Sequence, residues 1–195
     1  MSQQHQGRTE EPSERLRLWT VQAAAVLETL EREGVLRADP ARADVDLRPA
    51  YEWMAARLAE KVPPPPGCTL PLWAWLRWDG LARPRPDLRA AGHLPPGTRG
   101  VRIAFEMPVK KVLVSDFDAW HAVLNGVPYV PEEADYEAVM RRFEHLQGEE
   151  RRAFLEETWR GIFPAPPWPD DLSLQAVFWE LPKACIREIT PFVAR

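Results

Sequence analysis

The chain has 195 residues, a length typical of one domain. Its 25 Lys and Arg residues against 29 Asp and Glu residues give a net charge of −4. This balance argues against a general nucleic-acid binder, because such proteins usually carry a strongly basic face. Apolar residues make up 45% of the chain, which is enough for a hydrophobic core and excludes global disorder.

The N-terminal segment, residues 1–14, is polar and is predicted to form a disordered arm before a single domain over 15–195. It lacks the apolar run that a signal peptide needs, and no later apolar run is long enough to cross a bilayer. Cys68 and Cys185 are expected to be reduced thiols, and no Cys/His spacing indicates a metal site. These features predict a cytoplasmic protein with neither a membrane partner nor a metal.

The first half of the chain is predicted to alternate strands and helices. Arg15–Gln22 favours a β-strand, and a helical period then begins at Val26 and ends at Gly34, where a C-cap is expected. A second helix is predicted over Leu47–Val62, where four prolines follow. Leu70–Trp78 is apolar on both of its faces, which indicates a central strand or a strand that lines a cleft.

The second half is predicted to begin with a β-hairpin. Its strands are Val101–Glu106 and Val112–Ser115, with the turn at Pro108. Ser115 then resembles the start of a capping box and opens a helix that ends at Leu124. The remaining predicted elements are two charged amphipathic helices over 131–147 and 149–163 and two strands over 173–181 and 186–193.

These elements together predict an α+β single domain. A small, mostly antiparallel sheet is built from both chain ends plus the central hairpin, and it packs with about five helices. The chain lacks the glycine-rich phosphate loop, the dinucleotide-binding fingerprint, the serine nucleophile elbow and the zinc-protease motif. Most nucleotide hydrolases, Rossmann enzymes, esterases and zinc proteases are therefore excluded.

Several polar and aromatic residues are candidates for a ligand site. Trp73 and Trp75 could stack on a planar ligand, or they could simply belong to the core. Thr20 and Gln22 share one face of the first strand and could donate hydrogen bonds to the same ligand, although Gln22 could instead begin the following helix. The sequence alone leaves these alternatives open.

Two further residues are candidates for catalysis. Gln175 places an amide in an apolar strand, so it either bonds a neighbouring loop or points into a site. His121 could act as a general acid or base. Asp116 and Asp118 precede His121 at a spacing that can hold a metal, but capping of the helix N-terminus explains both carboxylates, so no metal is expected.

Motifs along nearly the whole chain after residue 15 resemble an uncharacterised bacterial family of domains of unknown function. The resemblance starts at Leu-Trp-Thr-Val-Gln, residues 18–22, and ends at Gln-Ala-Val-Phe-Trp-Glu-Leu, residues 175–181. Between them it includes the segments at 34–39, 51–54, 71–75, 113–117 and 120–121. This resemblance implies membership of the family but brings no known activity.

The two ends of the chain also resemble, more distantly, families of the ADP-ribosyltransferase type. A first strand is followed by a helix and a glycine, and a late strand begins with Gln175 and Ala176. In some of these families the catalytic acid follows directly, whereas this chain has Val177 there. The resemblance implies ADP-ribosyl or related glycosyl transfer, carried by Gln175 with His121, or ligand binding without catalysis.

Two functions follow as hypotheses. In the first, a cleft binds a nucleotide-like molecule, with NAD as the first candidate. Its predicted residues are Thr20, Gln22, Trp73, Trp75, His121 and Gln175. In the second, the charged helices and proline-rich loops form a non-enzymatic surface for a protein partner or a homodimer; nucleic acid is disfavoured by the acidic total charge.

Overall fold

The computed structural model describes residues 14–195, and the predicted disordered arm lies almost entirely outside them. The described residues contain five α-helices and eight strands, besides short 3-10 turns. The helices are α1 (Val26–Glu33), α2 (Arg48–Lys61), α3 (Phe117–Leu124), α4 (Tyr136–His145) and α5 (Gly148–Trp159). The strands are β1 (Arg15–Ala23), β2 (Val35–Arg37), β3 (Leu72–Arg77), β4 (Arg99–Pro108), β5 (Leu113–Asp116), β6 (Leu174–Phe178), β7 (Glu180–Pro182) and β8 (Ile186–Val193).

The main sheet has six strands in the order β5-β6-β3-β1-β4-β8, and every paired neighbour is antiparallel. Strands β2 and β7 form a separate two-stranded ribbon. The predicted α+β class is confirmed, and so is the prediction that both ends of the chain enter one sheet. In particular, β1 and β8 flank β4 on its two sides.

The predicted central hairpin is wrong. Strands β4 and β5 follow each other in the chain, but β4 pairs with β1 and β8 whereas β5 pairs with β6 at the opposite edge. Each strand therefore finds its partners far away in sequence. A short turn around Pro108 indicates a hairpin only when the two strands also bury matching faces, and here tertiary contacts decide the pairing.

The centre of the sheet is split. Strands β1 and β4 share nine registered residue pairs, from Arg15 opposite Pro108 to Ala23 opposite Gly100. In contrast, β1 and β3 share one registered pair, Trp19 opposite Trp75. The two three-stranded halves are thus joined at a single point, and the strands diverge beyond it.

The two faces of the sheet are buried in two separate clusters. One face carries Leu18, Ile103 and Phe178 and packs against α1 and β2. The other face carries Val177 beside buried side chains of α2 and α3, among them Trp53. Because side chains alternate along a strand, β3 contributes Leu72 and Ala74 to the first cluster and its tryptophans to the second face.

Two capping residues fix where helices α1 and α3 meet the neighbouring strands. Gly34 ends α1 with a φ of 69°, a left-handed conformation that glycine adopts without strain, and its amide donates to the Leu30 carbonyl. Asp116 begins α3, since its carboxylate accepts hydrogen bonds from the amides of Asp118 and Ala119. The cap is therefore Asp116 rather than Ser115, and Ser115 stays in the strand.

Candidate functional site

A cavity of about 900 Å³ opens at the split in the sheet. Gln22 at the end of β1 and Leu72 and Trp73 at the start of β3 all line it. The single registered pair of these two strands, Trp19 with Trp75, lies outside the cavity lining. The volume of the cavity suits a ligand larger than a single small metabolite.

Three of the six predicted site residues line this cavity, namely Gln22, Trp73 and Gln175. Thr20 is not part of the lining. It is buried on the same strand face as Gln22, and its hydroxyl accepts a 2.8 Å hydrogen bond from Gln22 Nε2. Thr20 therefore orients the Gln22 amide instead of facing the cavity itself.

The other two predicted residues lie outside the cavity lining. The Trp75 ring packs at 4.5 Å from Trp78 and at 4.7 Å from Phe117, measured between ring centroids. His121 is exposed on α3, and its Nδ1 lies 3.0 Å from the Phe117 carbonyl oxygen. Both residues thus contact Phe117, which does line the cavity, but neither reaches the cavity directly.

One wall of the cavity is aromatic. Trp73 lies between Tyr51 of α2, with ring centroids 6.2 Å apart, and Trp120 of α3, with ring centroids 4.9 Å apart. Phe117 extends this wall at the start of α3. Rings at these separations and tilts stabilise one another, so this part of the lining is apolar and held in place.

The cavity lining also carries charged groups, and its acids equal its arginines in number. They are Arg32, Arg37, Arg42, Glu33, Asp39 and Asp44. Arg37 is held by Glu180 through a 2.7 Å hydrogen bond from Nε, and Arg32 pairs with Glu33. Arg42 is exposed and has no ion-pair partner among residues 14–195.

The nearby acids are used by the backbone. Asp39 accepts from the Ala41 amide, and Asp44 accepts from the Asp46 amide. Arg42 is therefore the cation most available to an anionic ligand.

The environment also sets the protonation of neighbouring groups. Burial, with a smaller effect from the Asp44 charge, raises the pKa of the Tyr51 phenol, so this hydroxyl stays a hydrogen-bond donor at neutral pH. Burial likewise raises the pKa of the Cys68 thiol, and the Glu180 charge adds to this while Arg37 opposes it. The hydrogen bond that Arg37 donates to the Glu180 carboxylate raises the pKa of Arg37, which keeps that guanidinium charged.

Sequence reasoning missed part of this site. Tyr51, Phe117 and Trp120 line the cavity, and a helical apolar stripe gives no sign that it borders one. Like Arg37, all three lie inside the motif segments quoted above. Arg37 lies inside one of the motifs quoted above, and this was the available signal. Arg42 follows a proline in a short 3-10 turn and carries no signal in the sequence.

Within residues 14–195, no three His, Cys, Asp or Glu side chains are grouped so as to hold a metal ion. In the same part of the chain, no helix is both long enough and apolar enough to span a membrane.

Comparison with known proteins gives one finding. Residues 17–187 match the family model described as "Domain of unknown function (DUF3841)". No curated protein matches the chain, and no solved structure matches it.

Proposed function

Since the chain belongs to the DUF3841 family, whose description assigns no activity, we propose from the geometry of the split sheet that the cavity binds a nucleotide-like ligand, with NAD as the first candidate. The observation that carries this proposal is the cavity of about 900 Å³ beside β1 and β3, whose lining combines aromatic rings with the guanidinium groups of three arginines. A nucleotide presents the matching groups, a planar base and phosphates.

The aromatic wall supports binding of the base or nicotinamide ring. Trp73 is half-buried and supported by Tyr51 and Trp120, so little conformational freedom is lost when a ring stacks on it. Gln22 and Gln175 place amide groups beside this wall, and amides can satisfy both donors and acceptors on a heterocycle.

The arginines of the lining support binding of phosphate. Arg42 lacks an ion-pair partner among the described residues, so it can form a charge-assisted hydrogen bond without first breaking another pair. Arg37 is already paired with Glu180 and would contribute less. The arginines come from β2 and the turn after it, whereas the aromatic rings come from β3, α2 and α3.

The arrangement favours binding over ADP-ribosyl transfer. Val177 occupies the position at which some related families have an acid, and it is fully buried in the cluster against α2 and α3. His121, the predicted acid or base, lies outside the cavity lining. We therefore propose ligand recognition in which Gln175 binds the ligand, without a transfer step.

Thermal unfolding with NAD and with ADP-ribose tests the proposal. A ligand present at about 100 times its Kd adds roughly 2.7 kcal/mol to the free energy of unfolding, which corresponds to about 5–10 °C in Tm for a domain of this size. Arg42→Gln is expected to weaken the binding of both ligands by about ten- to a hundredfold, because it removes a hydrogen bond to a charged group.

The matched control is Arg83→Gln, which also removes an exposed arginine but lies outside the cavity lining. It should leave both affinities unchanged. The absence of any Tm shift at millimolar NAD and ADP-ribose would overturn the proposal, and so would equal weakening by both variants, because the effect would then be one of total charge.

A further inference from the structure

Ser115 carries a buried hydroxyl group without a partner. The residue is 0% exposed, and its Oγ makes no hydrogen bond with any described residue. An unpaired hydroxyl at such a depth is unfavourable, and it is therefore uncommon unless a function requires it. The backbone around it is regular strand β5, so strain does not explain the residue.

The register of the sheet places Ser115 beside the cavity residue Gln175. Ser115 is the direct partner of Gln175 across β5 and β6, and Gln175 is in turn the partner of Trp75 across β6 and β3. Registered partners in an antiparallel sheet have their side chains on the same face, with Cβ atoms about 4.5–5.5 Å apart. The Gln175 amide, which lines the cavity and bonds no described residue, is thus within reach of the Ser115 hydroxyl.

We propose that Ser115 is a positioning residue that sets the Gln175 amide to recognise a carboxamide group on the ligand. This inference rests on the proposed function. A glutamine amide has two N–H donors and a carbonyl oxygen. The two side chains are not bonded in the free protein. When ligand binding turns the Gln175 amide so that one N–H donates to Ser115 Oγ, the second N–H and the oxygen face the cavity.

These two groups complement a ligand carboxamide, which offers an acceptor and a donor side by side. A carboxylate offers acceptors only, so it leaves the Gln175 oxygen opposed by another oxygen. The site should therefore prefer a carboxamide to a carboxylate of the same shape, and Ser115 should control this preference without touching the ligand.

The test compares NAD with nicotinic acid adenine dinucleotide, in which a carboxylate replaces the carboxamide, and with ADP-ribose, which has neither group. The full chain should bind NAD about tenfold or more tightly than the carboxylate analogue, since one hydrogen bond to a charged or mismatched group is worth about that much. In Ser115→Ala this ratio should fall towards one, while the affinity for ADP-ribose stays the same.

Ser173→Ala is the matched control, because Ser173 lies two residues before Gln175 but its hydroxyl donates to the Trp78 carbonyl at 3.0 Å. It should lower Tm and keep the ligand preference. Ser115→Ala should keep Tm or raise it, since the lost hydroxyl has no partner in the free protein. If Ser115 had only a structural role, Ser115→Ala would lower Tm and keep the ligand preference.

The outcomes separate the two proposals. If the unaltered chain binds none of the three ligands, the proposed function fails. If it binds them but shows no preference, or if Ser115→Ala keeps the preference, only the role of Ser115 fails. A drop in Tm for Ser115→Ala as large as that for Ser173→Ala would also overturn this role, because it would reveal a structural partner for the hydroxyl.

Discussion

Single residues decide what the cavity can do, and Val177 is the clearest case. Its side chain is 0% exposed and packs among the aromatic residues of the second buried cluster. The neighbouring Gln175, two residues earlier on the same strand face, reaches the cavity instead. An acid at position 177 would thus enter the core in this protein.

Val177→Glu is accordingly expected to destabilise the fold and not to create a transferase. The free energy of unfolding should fall by at least about 3 kcal/mol at neutral pH, because the carboxylate would be buried without a partner. Urea unfolding at pH 5 and pH 8 measures this effect. Burial raises the pKa of such a carboxyl above its unfolded value of about 4.3, so the loss should be larger at pH 8 than at pH 5.

Val193→Glu provides the comparison, because it makes the same change at a side chain that is 61% exposed on β8. Its effect should stay within about 0.5 kcal/mol at both pH values. Equal losses for the two variants would contradict the burial of Val177.

At the scale of elements, the long connection between β3 and β4 depends on one buried arginine. Arg102 of β4 is 8% exposed, and it donates to the Pro86 carbonyl at 2.9 Å and to Thr190 Oγ1 at 3.3 Å. Burial, followed by the charge of Arg85, lowers the pKa of Arg102. One side chain thus ties the connection to β8, and Leu94 of the same connection lines the cavity.

Arg102→Met should release this connection. Loss of the two hydrogen bonds is expected to cost about 1–3 kcal/mol, or roughly 2–12 °C in Tm. Limited proteolysis should then cut the chain between β3 and β4 faster than in the unaltered protein. Arg99→Met, at an exposed arginine of the same strand, should change neither quantity. Unchanged proteolysis in Arg102→Met would show that other contacts hold the connection.

On the scale of the whole molecule, stability is unevenly distributed. Helices α4 and α5 bury one side chain each, Phe143 and Phe154, whose ring centroids lie 6.4 Å apart. Arg151 covers Phe143 at 3.7 Å from the ring centroid, and Arg142 covers Phe154 at 4.6 Å. The main sheet, in contrast, holds most of the fully buried side chains. We expect the helical pair to open locally while the sheet stays folded.

Phe154→Ala tests this division. Hydrogen exchange of the amides in α4 and α5 should become faster by about a hundredfold or more, because loss of a buried Phe costs about 3–5 kcal/mol, while exchange in β1 and β4 changes little. Leu18→Ala, at a fully buried position of the first cluster, should instead accelerate exchange throughout the chain. A uniform acceleration in Phe154→Ala would mean that the domain unfolds as one unit.

The sequence by itself determined the local elements and part of the site. The apolar period and Gly34 predicted α1, and the two apolar faces of Leu70–Trp78 predicted a central strand or a strand that lines a cleft; β3 is an inner strand of the sheet. The unusual polar and aromatic residues Gln22, Trp73 and Gln175 were predicted to line a cleft, and they line the cavity. Periodicity and capping act over a few residues, so a short stretch of sequence is enough to predict them.

Only the tertiary structure decided which strands pair and where the sheet splits. Strands β4 and β5 took distant partners instead of each other, and β1 and β3 share the single registered pair of Trp19 and Trp75. The tertiary structure also placed His121 outside the cavity lining and Arg42 within it. Pairing and cavity formation depend on contacts between segments far apart in the chain, and a local pattern does not specify which distant segments meet.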